Sequence, residues 1–235
     1  MRVKAVMAAL KAKGSEQIKR ILMRHGAKEP FFGVRIGDMK PIAKQIKGDQ
    51  ALALELYATG NGDAQYLAGM IADGARMSRR ELQAWAGKAA WRMVSGFTVP
   101  WVASENDEDW DLALEWTDSK QEHIAIAGWA TLAAWVTTHP DADLDLKALQ
   151  RLLARVEKTI HTAPNQVKVP MNYFLIAAGT YVAPLGAKAI ATARKLGKIE
   201  VDVGDTGCQI PDAESYIMKS RRGAPIAPKR KTVRC

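Results

Sequence analysis

The sequence predicts an all-α fold, a HEAT-like helical-repeat solenoid of stacked antiparallel helix pairs with a concave basic groove, on three observations. Helix start and stop signals recur along nearly all of the 235 residues. The helix pairs they delimit return at roughly 35–45 residues, the spacing of such stacks, although no sequence repeat is crisp. Only Lys198–Val203 reads as extended, and it is too isolated to build a sheet. A stack of this kind curves, and its concave side offers a long binding surface.

Each element has a local reason. An amphipathic run over Val3–Lys13 stops at Gly14, and Ser15 offers its hydroxyl as the N-cap of a helix over Glu16–His25, with Gly26 as terminator. Lys28–Arg35 reads as a loop whose Phe31 and Phe32 plug a core. Asp38 is expected to cap Met39–Lys47, with Pro41 tolerated in the first turn. Gly48-Asp49 ends that helix and caps the next, Gln50–Ala58. The turn Gly60-Asn-Gly-Asp63 then leads into a helix over Ala64–Ala75.

Two capping boxes follow, Ser78-Arg-Arg-Glu81 opening a helix towards Val94 and Ser119-Lys-Gln-Glu122 opening one towards Thr138. Between them, Asp107-Glu-Asp-Trp110 sets three acids at the start of a shorter helix, where they oppose its positive dipole end. After Pro140, Leu149, Leu152, Leu153 and Val156 sit at helical spacing within Leu146–Ile160. Further helices are expected over Val167–Val182, Leu185–Leu196 and Asp212–Ser220. No interior linker divides the chain, so residues 1–221 read as one repeat domain and 222–235 as a basic C-terminal tail, mobile or docked.

Charge is distributed unevenly. The net charge is +9, and residues 1–24 hold seven Lys/Arg against the single acid Glu16. After Glu214 there are no acids, but there are Lys219, Arg221, Arg222, Lys229, Arg230, Lys231 and Arg234. Basic clusters of this kind favour polyanions, because neutralising phosphates releases condensed counterions; the alternative is a solubilising tail. The tail has few apolar anchors for a lipid surface. No stretch is long and apolar enough to span a bilayer, and Lys4 and Lys11 interrupt the start, which argues against a signal peptide. With two cysteines only, Cys208 and Cys235, the expectation is free thiols in the cytoplasm.

All seven tryptophans lie between Trp85 and Trp135, and three pairs among them (85/91, 110/116, 129/135) are spaced by six. Six residues of helix turn the chain by about 600°, so the two rings of a pair stand about 120° apart. One ring of each pair can enter a shared core and the other a neighbouring interface. Trp101 is unpaired and follows Pro100 in a segment that reads as irregular, Ser95–Ser104, which makes it a groove candidate. The same neighbourhood is acidic, with eleven Asp/Glu and one Lys from Trp101 to Asp145. Glu105, Asp107, Glu108 and Asp109 are candidates for a general base, although acids at a helix start usually serve the dipole. His25, His123, His139 and His161 show no metal-ligand spacing, so neither metal nor cofactor is expected. Asp205-Thr-Gly207 spells the aspartic protease tripeptide, but one copy in a helical chain lacks the paired carboxylates that chemistry needs.

The stretch Phe31-Phe-Gly-Val-Arg-Ile-Gly-Asp-Met-Lys-Pro-Ile-Ala-Lys44 resembles a motif of the AlkD family, the HEAT-repeat DNA alkylpurine glycosylases, in which an aromatic-Phe-Gly-aliphatic loop leads into a basic helix ending Ile-Ala-Lys. The resemblance continues through Ala53-Leu-Glu-Leu-Tyr57 and Tyr66-Leu-Ala-Gly-Met-Ile-Ala72 and covers residues 15–200 in organisation. The ending, Val201–Ala213 with Lys229-Arg-Lys-Thr-Val-Arg-Cys235, is similar to a divergent bacterial branch. The resemblance implies a monomer that binds double-stranded DNA and excises cationic N3- or N7-alkylated purines. In that chemistry a carboxylate stabilises the cationic sugar, aromatics cradle the backbone and a basic residue assists. On that pattern Lys44 belongs to the basic helix, the basic residue falls near His123 and the second groove aromatic near Tyr173. The catalytic motif falls at Ser95–Ala103, where Phe97, Thr98 and Val99 match, but Pro100 stands where the catalytic Asp is expected.

Three readings follow. The first is a DNA-binding family member with little or no glycosylase activity. The second is a working glycosylase in which a neighbouring acid such as Glu105 takes the catalytic role. The third is a helical-repeat scaffold whose acidic 101–145 segment binds a protein partner.

Overall fold

The computed structural model describes residues 2–106 and 110–234. Among them all regular secondary structure is helical: thirteen α-helices interspersed with 3-10 and π-turns, and no strand. The chain groups into two compact units. The first comprises residues up to Leu112 together with 204–206 and Arg234, and the second residues 113–203 and 207–233.

In the first unit, α1 (Val3–Lys13) buries Val6 and Leu10, one turn apart, and presents Lys4 and Lys11 outward. Ser15 caps α2 (Glu16–Arg24) by accepting the Ile18 N–H, as its position predicts. The cap expected at Asp38 is absent: α3 (Ile36–Gln45) begins after Arg35, and Asp38 lies inside its first turn. The reason is the preceding loop. Phe32, Gly33 and Val34 donate their N–H groups to the buried Asp63 carboxylate at 2.5, 3.0 and 3.3 Å, which sets where the helix starts. Gly33 is required there, because its φ is +76° and a Cβ would press on the backbone of Ser15 and Lys19.

Asp49 caps α4 (Gln50–Ala58), and Asn61 caps α5 (Gly62–Ile71) by accepting from Asp63 and Ala64, so α5 starts two residues earlier than expected. Every residue of α5 from Gly62 to Gly69 is buried, as befits a core helix with α4 packed along it. The capping box of α6 (Arg79–Gly87) forms as predicted between Ser78 and Glu81. That helix stops at Gly87 rather than near Val94, because the Gln65 side chain takes over the backbone beyond it. Its Nε2 donates to the Lys88 carbonyl at 2.8 Å, and its Oε1 accepts the Ala90 N–H at 2.9 Å. The segment expected to be irregular is instead a π-turn, Val94–Thr98, running into α7 (Val99–Ala103). A Cβ at Gly74 would collide with the Val102 backbone, so these segments meet chain against chain.

α8 (Trp110–Thr117) leads into the second unit. The acids predicted to open it, Asp107, Glu108 and Asp109, lie outside the described residues. The core of the second unit is α9 (Glu122–Thr138) against a later helix, α11. The box expected at the start of α9 does not form. Ser119 Oγ accepts the Gln121 N–H, and Glu122 Oε1 accepts the distant Gln166 N–H, leaving Gln121 as N-cap. Asp145 caps α10 (Leu146–Thr159), which buries the predicted stripe Leu149, Leu152, Leu153 and Val156. α11 (Lys168–Tyr181) packs on α9, where Trp129 meets Phe174 with ring centroids 5.5 Å apart. α12 (Gly186–Leu196) and α13 (Ala213–Arg221) complete the unit against α11. Lys198–Val203 joins no sheet. No single described helix is long and apolar enough to cross a membrane.

Five of the seven tryptophans are core residues: Trp85, Trp101, Trp116, Trp129 and Trp135 are each at most 6% exposed. Trp85 stacks on Tyr57 at 3.9 Å, and the Tyr57 hydroxyl donates to the Trp85 carbonyl. Arg155 lies 5.2 Å over the Trp129 ring while its guanidinium donates to Thr117 and pairs with Asp118. Their mass builds structure rather than a surface.

Candidate nucleic-acid interface

In the first unit, the exposed ring on the π-turn segment is Phe97 and not Trp101. Trp101 is 2% exposed, edge-on to Tyr66 at 5.2 Å, whereas Phe97, 6.4 Å from Trp101, is 46% exposed. A π-turn holds one residue more than an α-turn and rotates every later side chain, so plain helical spacing does not reveal which ring faces out. Pro100 is buried within α7. Its side chain neither ionises nor hydrogen-bonds.

Glu105, the candidate relocated carboxylate, is engaged on both oxygens. Its Oε2 accepts the Gly74 N–H at 3.1 Å, and the Arg234 guanidinium grips the carboxylate in a two-pronged ion pair. The third arm of the same guanidinium donates to the Gly69 carbonyl at 2.8 Å, in the last turn of α5. A carboxylate held in this fork already has a cation as its partner, which lowers its capacity to stabilise a second one. Neighbouring Asn106 donates to the Gly74 and Met77 carbonyls, so the whole stretch after α7 is fastened to the chain after α5.

Asp63 is a second carboxylate that sequence reasoning passed over. It is 4% exposed, and burial pushes its pKa above the ordinary 3.8, with the Phe32, Val34 and Gly33 N–H groups opposing that shift. It fixes the loop that carries the resembling motif. The Asn-Gly-Asp turn was legible as a turn, but its partner lies some thirty residues away in sequence.

The cations differ in how they are used. Lys44 is exposed on α3, with Lys40 one turn before it, and Lys4, Lys11 and Lys13 are exposed on α1. In the second unit, Lys219, Arg222, Arg230 and Lys231 are exposed. Arg221 is half-buried and donates to the Gly179 carbonyl, and that burial lowers its pKa. Lys229 donates to the Val136 carbonyl at 2.9 Å and pairs with Asp141 at 2.8 Å. The backbone of the same segment joins in, Ala227 N–H to the Thr180 carbonyl and Arg230 N–H to that of Thr137, both 2.9 Å. These carbonyls belong to the last turns of α9 and α11, where helix geometry leaves acceptors without partners and the dipole end is negative. The C-terminal segment is therefore docked, and its donors cap helix ends.

His123 is half-buried in the first turn of α9. Tyr173 is 43% exposed on α11, and Tyr216 on α13, which the sequence reading missed, is 42% exposed. The two rings meet edge-to-face, centroids 6.5 Å apart. Partial burial raises the Tyr173 pKa, helped by Tyr216 and Cys208 nearby. Among the described residues no group of three or more His, Cys, Asp or Glu side chains is placed to hold a metal ion.

Comparisons with known proteins bear on the fold and the family. A solved structure described as "a new family of proteins related to the HEAT-like repeat DNA glycosylases with affinity for branched DNA structures" is 38% identical and superposes with a TM-score of 0.89 over 100% of both chains. The uncharacterized proteins Lin0241 of Listeria innocua and Lmo0209 of Listeria monocytogenes are each 29% identical over 208 residues, 86% of this chain and 89% of theirs. The model of the DNA alkylation repair enzymes matches residues 6–198. With a helical-repeat fold and a family match along most of its length, this chain belongs to the DNA alkylation repair enzyme family.

Proposed function

We propose that this protein binds DNA, engaging the double-stranded arms of branched structures as a cytoplasmic monomer, and does not excise alkylated bases. The observation that carries the reading is the segment Val94–Glu105. Where the family resemblance expects a catalytic carboxylate it has buried Pro100, and Glu105, the one acid of that segment, is clasped by Arg234. Glycosidic cleavage of an alkylpurine builds positive charge on the sugar, and a carboxylate aimed at that charge supplies the stabilisation. Without it the surface retains what binding needs. In the first unit Phe97 offers an exposed ring and Lys40 and Lys44 offer exposed cations for phosphates, and in the second unit Lys219, Arg222, Arg230 and Lys231 offer exposed cations.

The affinity for branched DNA of the 38% identical neighbour supports the choice of ligand. Two assays with the purified protein test both halves. Gel-shift titrations should show tighter binding of a four-way junction than of a continuous duplex, weakening steeply with salt. Incubation with alkylated duplex DNA should release neither 7-methylguanine nor 3-methyladenine. Absent DNA affinity at low salt refutes the binding half, and base release above the rate with heat-inactivated protein refutes the other.

A further inference from the structure

We infer that Tyr216 and Tyr173 form a stacking platform for an unpaired or end-exposed nucleobase, the chemical feature that separates a branch point from a continuous duplex. The inference rests on the DNA-binding reading above. Both rings lie on helices of the second unit and are more than two-fifths exposed. Their edge-to-face contact, 89° between planes, uses a face of only one of the two rings. Aromatic faces accept any base, because every base has a π-face, and they do so without reading sequence.

The charge around the platform favours a nucleic acid over an apolar peptide. Tyr216 is followed one turn later on α13 by exposed Lys219, and Arg222 is exposed just beyond the helix. The acid within α13, Glu214, is held by Arg194 at 2.8 Å and so does not oppose a phosphate there. Within a duplex both faces of each base are already covered by neighbouring base pairs. At a junction, flap or bulge some faces are open, and a tyrosine pair beside free cations has the matching chemistry.

The test is Tyr216→Leu against a three-way junction carrying 2-aminopurine as an unpaired base at the branch point, with a continuous duplex as reference. Tyr216→Leu should lower junction affinity about five- to 150-fold, the range of one stacked base. It should abolish the quenching of 2-aminopurine on binding and leave duplex affinity and thermal stability as they were. Tyr216→Phe, which keeps the ring, should match the wild type in every readout. Unchanged junction affinity and quenching in Tyr216→Leu overturn the platform, and so does an equal loss for junction and duplex, which marks a backbone contact. If the wild type binds neither DNA, the DNA-binding reading fails along with it; if the wild type binds and the variant is unaffected, only the platform falls.

Discussion

Asp63 and Glu105 are both carboxylates of the first unit, and each holds a neighbouring stretch of backbone in place by opposite means. Asp63 is buried, with three backbone N–H groups donating to it. Glu105 is half-exposed, accepts one N–H and takes an arginine from the C-terminal segment. The buried acid thus depends on oriented dipoles, which work in low dielectric, and the accessible one on a formal charge, which water screens. The lesson is that a carboxylate near a family's catalytic position is not evidence of catalysis until its existing partners are known.

The sharpest way to break the comparison is Asp63→Ala. It leaves three backbone donors of the Phe32–Val34 loop without their acceptor, and loss of charge-assisted bonds of this kind costs about 3 kcal/mol. For a chain of this size that is a fall in Tm of roughly 6–12 °C, measurable by calorimetry. A fall of under 2 °C would show that the loop holds itself.

Glu105→Gln should cost less, about 1 kcal/mol, because the amide oxygen still accepts from Gly74 and the lost ion pair is partly solvated. Arg234→Ala should cost a similar amount, and the double variant less than the sum of the two. Additive losses in this double-mutant cycle would mean that the two side chains stabilise independently. Neither single variant should acquire glycosylase activity if Pro100 settles the matter.

The two acids also separate by pH. Burial raises the Asp63 pKa above 3.8, so the folded state binds its proton more tightly than the unfolded state. The proton-linked part of Asp63's contribution is therefore most favourable below pH 3.8 and is lost as pH rises through its folded value, while the three N–H bonds remain. The stability of wild type minus that of Asp63→Asn should thus decline from acid towards neutral pH, in paired urea titrations. A difference that grows with pH would mean that the N–H donors outweigh burial. The exposed pairs Glu29–Lys19 and Glu157–Lys195 lower their carboxylate pKa values and tilt the whole protein the other way, which is why the difference between variants is the informative quantity.

What the sequence made legible divides along the same line, local against distant. Caps at Ser15, Asp49 and Ser78 were readable because each side chain meets an N–H three positions on. The helical fold followed from such signals. The failures each have a remote partner: Gln65 ends α6 from more than twenty residues away, Glu122 turns to Gln166 instead of its own cap, and Asp63 anchors the Phe32–Val34 loop. The candidate site suffered most. The π-turn exchanged Trp101 for Phe97 at the surface, and no periodicity could show that Lys229 and Arg234 fasten the C-terminal segment while Arg230 and Lys231 remain exposed.

That last distinction yields the smallest effect on stability and the cleanest on binding. Arg230→Ala with Lys231→Ala removes two exposed charges and no side-chain contact that holds the segment, so Tm should stay within about 1 °C, as for surface changes generally. If both contact phosphates, the slope of log affinity against log salt should fall by about 0.9 for each. Lys229→Ala should behave in the opposite order. It releases the Val136 carbonyl and Asp141 and lowers Tm first, and binding suffers through undocking of the segment rather than through the lost charge. An unchanged salt slope in the Arg230/Lys231 variant would place the DNA elsewhere on the molecule, leaving the C-terminal segment as a brace for helix ends and nothing more.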